Sequence, residues 1–95
     1  MKKTRIGVLV SGGGTNLQAL IDSEKRGELG NGEISLVIAS KDGVYALERA
    51  KNNGIAAKVL ARKEYDSIKE YSKALADTLV EEEIDLVVLA GFLTI

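Results

Sequence analysis

Four short runs rich in β-branched residues constrain this chain more than any other feature: IGVLV at 6–10, ISLVIA at 34–39, IAAKVL at 55–60 and IDLVVLA at 84–90. Each has the length of a strand. The first and last are nearly continuous in apolar residues, the pattern of strands covered on both faces in a parallel sheet. The third is weaker and reads as an edge strand.

Helical periodicity fills the gaps between them. Leu17, Leu20 and Ile21 mark one face of a first helix, and Gly27 is placed to stop it. At its start, Thr15-Asn16-Leu17-Gln18 has the spacing of a capping box, in which the Thr15 hydroxyl accepts from a helix N–H and Gln18 reaches back. A second helix is expected over 43–53, with Leu47 and Ala50 inward and Gly54 ending it. Ser67-Ile68-Lys69-Glu70 repeats the capping-box spacing and opens the longest helix, whose apolar face is Ile68, Tyr71, Leu75 and Leu79. Near its end, Glu81-Glu82-Glu83 oppose the helix dipole, so the helix frays or stops there. A solvated charge run is favoured over a metal-binding cluster.

Strand and helix alternate as β-α-β-α-β-α-β, and right-handed crossovers make the sheet parallel. The expected fold class is therefore α/β, a Rossmann-like three-layer parallel sheet with strand order 3-2-1-4. Its switch point lies between strands one and four, and ligands of open α/β sheets sit beyond the carboxyl ends of such strands. Those ends are Ser11-Gly12 and Ala90-Gly91. No covering helix follows the last strand before the sequence stops at GFLTI, which leaves an uncovered sheet edge and points to a longer protein.

Composition narrows the chemistry. With 95 residues, 45% hydrophobic and 28% charged, the chain reads as one soluble globular domain. A net charge of -1 gives no basic excess for nucleic acid or an anionic membrane surface. The apolar runs are too short to span a bilayer. Cysteine is absent, which excludes disulfides and thiolate metal sites; with no leader-like start, a cytoplasmic location is expected. Histidine is absent too, so the usual near-neutral general base is missing and an enzyme using this chain alone would need a tuned carboxylate or lysine.

What remains is the loop VSGGGTN at 10–16. A strand, a glycine turn and a helix start can together cradle an anion, because the first helix N–H groups are unpaired and the dipole favours negative charge. Gly12, Gly13, Gly14, Thr15 and Asn16 are the candidate binding residues. Leu17 stands where the dinucleotide fingerprint needs its third glycine, and no Gly-Lys-Ser/Thr follows to make a P-loop. A mononucleotide or sugar phosphate fits better than either; a tight turn with no ligand is the alternative.

RIGVLVSGGGTNLQALID, ERAKNNGI and DLVVLAGFLTI closely resemble phosphoribosylglycinamide formyltransferase, across essentially the whole chain and in the expected order. The resemblance implies the formyltransferase fold and transfer of a formyl group from formyltetrahydrofolate to the amine of phosphoribosylglycinamide in purine synthesis. It also implies small-molecule partners and a full-length monomer or homodimer. By position, Gly14, Thr15 and Asn16 match the family's phosphoribosyl site, Gly12 and Gly13 complete its phosphate loop, and Leu93, Thr94 and Ile95 match its folate-lining segment. Gly14→Val is expected to obstruct the substrate. A basic folate contact of many members is replaced by Ile68. The family's Asn-x-His-Pro-Ser segment and later aspartate would fall beyond residue 95, making this the N-terminal part of a single domain whose catalytic part is absent. Formyltetrahydrofolate deformylase and a non-catalytic mononucleotide-binding module are the alternative readings.

Overall fold

The computed structural model describes residues 3–90. The chain runs β1 (Thr4–Val10), α1 (Thr15–Lys25), β2 (Gly32–Ala39), α2 (Tyr45–Asn52), β3 (Ala56–Val59), α3 (Ile68–Glu81) and β4 (Leu86–Leu89), with a single 3-10 turn at Arg62–Glu64 ahead of α3. All strand pairs are parallel and the order is β3-β2-β1-β4, as the alternation predicts. Val8 stands at the centre, paired with Val37 on one side and Val88 on the other.

Period-two alternation along β1 and β2 splits the core between the two sheet faces. Ile6, Val8, Val10, Val37 and Ala39 face α1 and α2, where they meet Leu17, Ile21, Ala46 and Ala50. Leu9, Leu36 and Ile38 face α3 and pack on Tyr71 and Leu75. Each fully buried aliphatic side chain contributes about 1.5–3 kcal/mol, so these two inner strands anchor the domain. Gly7 brings α3 close: a Cβ there would lie 3.1 Å from both Ile84 Cγ2 and Leu79 Cδ2.

Tyr71 is the largest buried side chain, and its hydroxyl donates to the Leu60 carbonyl oxygen at 2.6 Å. Burial holds its phenol above the ordinary value; Tyr65 adds to the shift and Arg62 opposes it.

Helix ends follow the sequence signals in part. Ser67 caps α3, its Oγ accepting from the Glu70 N–H at 3.1 Å. The acidic run does end α3: Glu82 is the C-cap and Glu83 has φ 56°. Arg5 Nε donates to the Glu82 carbonyl oxygen at 3.1 Å, offsetting the exposed helix terminus, and Lys58 pairs with the Glu82 carboxylate at 3.2 Å.

Three expectations are corrected. Ile68 is 45% exposed, because α3 first reaches the core one turn later at Tyr71. α2 begins at Tyr45, so Ala46 joins Ala50 as its buried residue while Leu47 is only half-buried. β4 is not covered on both faces: Leu86, Val87 and Leu89 are exposed, because among the described residues only half-buried Val88 of this strand packs against the core.

Candidate functional site

Beyond Val10 the chain leaves the sheet through half-buried Ser11 and exposed Gly12 and Gly13, then turns into α1 at buried Gly14. The three glycines serve different ends. Gly14 is the N-cap and adopts the left-handed region, φ 81° and ψ 29°. A Cβ on it would lie 2.8 Å from Ala46 Cβ and 2.9 Å from Ala46 Cα, so Gly14 allows α2 to pack against the start of α1. Gly12 and Gly13 have no such need. Neither has a left-handed φ, and among the described residues a Cβ on either would meet nothing within 4 Å. Among the described residues, nothing fills the space in front of this pair.

Thr15 is the first residue of α1, not its cap, and no side chain caps the helix. The Thr15–Gln18 capping box is therefore not formed. Gln18 instead donates from Nε2 to Asp22 Oδ1 at 3.0 Å and accepts at Oε1 from Arg49 Nη1 at 3.1 Å. Thr15 and Asn16 are exposed at the mouth of the helix, beside N–H groups that have no intrahelical acceptor.

Two contacts fix the loop. Arg49 Nε donates to the Gly13 carbonyl oxygen at 2.9 Å, and the guanidinium lies 4.7 Å from the Tyr45 ring centroid. Ser40 Oγ, at the end of β2, donates to Ser11 Oγ at 3.0 Å. Sequence reasoning missed both partners, because each lies about thirty residues downstream and no local spacing signals them. Arg49 does fall inside the ERAKNNGI segment that carries part of the resemblance.

The loop sits at the carboxyl end of β1 and the chain leaves β4 at Ala90, whose N–H donates to the Leu9 carbonyl oxygen at 2.9 Å. These are the two strand ends of the switch point. Leu93, Thr94 and Ile95 lie outside the described residues. Among the described residues, no group of three or more acidic side chains could hold a metal ion, and no helix is long and apolar enough to cross a membrane.

The pattern of the family described as formyl transferase matches residues 4–95. This chain belongs to the formyl transferase family. It is 42% identical over 95 residues to the phosphoribosylglycinamide formyltransferase of Haemophilus influenzae, covering 100% of this chain and 43% of that protein. It is 43% identical over 94 residues to the human trifunctional purine biosynthetic protein adenosine-3, covering 99% of this chain and 9% of that protein. Among solved formyl transferases, glycinamide ribonucleotide transformylase 1 from Symbiobacterium toebii superposes with a TM-score of 0.88 at 41% identity, over 96% of this chain and 42% of that one. The chain thus spans less than half the length of these relatives, and it matches the N-terminal portion of the formyl transferase domain.

Proposed function

We propose that this chain is the N-terminal part of a phosphoribosylglycinamide formyltransferase and that its glycine loop grips the substrate's phosphate. The observation that carries the reading is the pair Gly12 and Gly13, glycines that neither their backbone conformation nor packing among the described residues requires. Their lack of a side chain lets backbone N–H groups approach a phosphate closely. Gly14 sets the turn, and Thr15 and Asn16 add the N-terminal dipole and side-chain donors of α1.

In the whole protein the amine nitrogen of phosphoribosylglycinamide attacks the formyl carbon of formyltetrahydrofolate. A new C–N bond forms, the bond from that carbon to the folate nitrogen breaks, and the proton lost by the amine is matched by one gained by the folate nitrogen. Leu93, Thr94 and Ile95, which match the family's folate-lining segment, would contact the folate. Proton transfer and oxyanion stabilisation fall to residues outside this chain, which holds no histidine. This part holds the substrate by its remote phosphate so that the amine is positioned for attack. The reading requires no metal or nucleic acid, and assigns the protein to the cytoplasm as a monomer or homodimer.

Calorimetric titration of the full-length protein with phosphoribosylglycinamide and with its dephosphorylated riboside tests this. Loss of several charge-assisted hydrogen bonds predicts weaker riboside binding by about 100-fold or more. Equal affinities would overturn it.

A further inference from the structure

We propose that the cleft at the carboxyl ends of β2 and β3 is a second anion site, built for the phosphate of a small sugar phosphate. It is a cavity of about 550 Å³ lined by Ser40, Lys41 and Asp42 after β2 and by Ala61, Arg62 and Lys63 after β3. That volume lies within the range of small-molecule sites. Three cations face one carboxylate there, in a chain whose overall charge is -1. The excess of two positive charges matches a phosphate monoester, which carries about -1.5 to -2 near neutral pH.

The cations are available and their frame is fixed. Among the described residues, neither Lys41 nor Lys63 has a side-chain hydrogen bond or an ion pair, as is true of Lys25, Lys51 and Lys69, while Lys3, Lys58 and Lys73 are paired. Arg62 lines the cleft but is partly engaged, with Nη1 donating to the Tyr65 carbonyl oxygen at 3.0 Å and its guanidinium 6.0 Å from the Tyr71 ring centroid, which fixes its position. The floor is closed, with Ser40 only 3% exposed and Ala61 buried, and the Arg62 N–H donates to the Ser40 carbonyl oxygen at 3.2 Å. The two walls are therefore joined before any ligand arrives.

Asp42 makes the site more than a basic patch. Its Oδ1 accepts from the Gly43 N–H at 2.8 Å, which orients the carboxylate and leaves Oδ2 for a ligand hydroxyl. An acidic residue after the second strand holds ribose hydroxyls in dinucleotide-binding folds, and Asp42 follows β2 here with Lys41 beside it. The cleft is separate from the glycine loop but adjoins it through the Ser40–Ser11 hydrogen bond. Its occupant is independent of the substrate held by that loop.

The test is a titration of the isotope-labelled full-length protein with ribose 5-phosphate and with inorganic phosphate, read by amide chemical shifts. Expected are shifts at residues 40–43 and 61–63 that saturate separately from any at 11–16. The double variant Lys41→Met/Lys63→Met should lose at least about tenfold in affinity at the first set and leave the second unchanged. Absence of shifts at 40–43 and 61–63, or unchanged affinity in the double variant, would overturn the site. Equal affinities for ribose 5-phosphate and inorganic phosphate would overturn its assignment to a sugar phosphate. Failure of the glycine loop to bind would appear at 11–16 alone.

Discussion

Arg49 donates from Nε to the Gly13 carbonyl oxygen at 2.9 Å and from Nη1 to Gln18 Oε1 at 3.1 Å, so one guanidinium from α2 fastens the glycine loop to the first turn of α1. The fork of donors is what permits both bonds, and an ammonium cannot reproduce it. Arg49→Met is expected to cost about 1 kcal/mol of stability, since the bonds are partly exposed. Loosening the loop should also weaken phosphoribosylglycinamide binding by about three- to tenfold. Urea denaturation and calorimetry on the same samples separate the two effects. Arg49→Lys should recover little of the binding.

Gly14→Ala is a packing variant before it is a ligand variant. Its φ of 81° is unfavourable for any residue with a Cβ, and that Cβ would press on Ala46. The left-handed conformation and the overpacking together should cost about 2–4 kcal/mol. Thermal unfolding checks this directly. Reduced substrate binding by Gly14→Val would therefore report a displaced α2 as much as an obstructed phosphate.

Tyr71 ties α3 to the end of β3. Tyr71→Phe leaves the Leu60 carbonyl oxygen without its donor and should destabilise the fold by about 1 kcal/mol. Burial raises the folded-state pKa above its unfolded value, so the neutral phenol is favoured by folding. The wild-type advantage is then full below about pH 10 and declines as pH rises through the folded-state value. Urea midpoints of both proteins between neutral and strongly alkaline pH should converge; a constant difference would contradict the role of burial.

The exposed apolar side of β4 has a consequence for the 95-residue chain expressed alone. Leu86, Val87 and Leu89 are exposed on a strand that, among the described residues, is paired with β1 alone. Sedimentation velocity should show concentration-dependent self-association, and Leu86→Lys/Leu89→Lys should reduce it. Association at the same level in the double variant would place the contact elsewhere.

The sheet order and the helix faces were legible because they rest on periodicity, which a single sequence carries. β1 and β2 are sandwiched between helices, and their apolar runs say so. β4 has the same kind of run but is exposed, since an apolar run encodes a strand's capacity to be covered and not what covers it. Ile68 fits the spacing of the α3 face, yet spacing does not tell where a helix first touches its sheet. At the loop, the glycine turn from β1 into the start of α1 was legible. The Thr15 cap was not realised, because the left-handed turn at Gly14 takes that position. Arg49 and Ser40 were invisible for another reason. Their bonds to the loop exist only once β1, β2 and α2 are side by side.

Gly12 and Gly13 offer the sharpest test, because there stability and binding should part. Among the described residues a methyl on either meets nothing within 4 Å, and neither backbone is left-handed, so Gly12→Ala/Gly13→Ala should leave stability unchanged or raise it by about 0.4–1 kcal/mol. The same two methyl groups would stand between the backbone and a bound phosphate. Measured in the full-length protein, the Kd for phosphoribosylglycinamide should rise at least about tenfold with no loss of thermal stability. An unchanged Kd in a stably folded double variant would contradict the assignment of this loop to the substrate's phosphate.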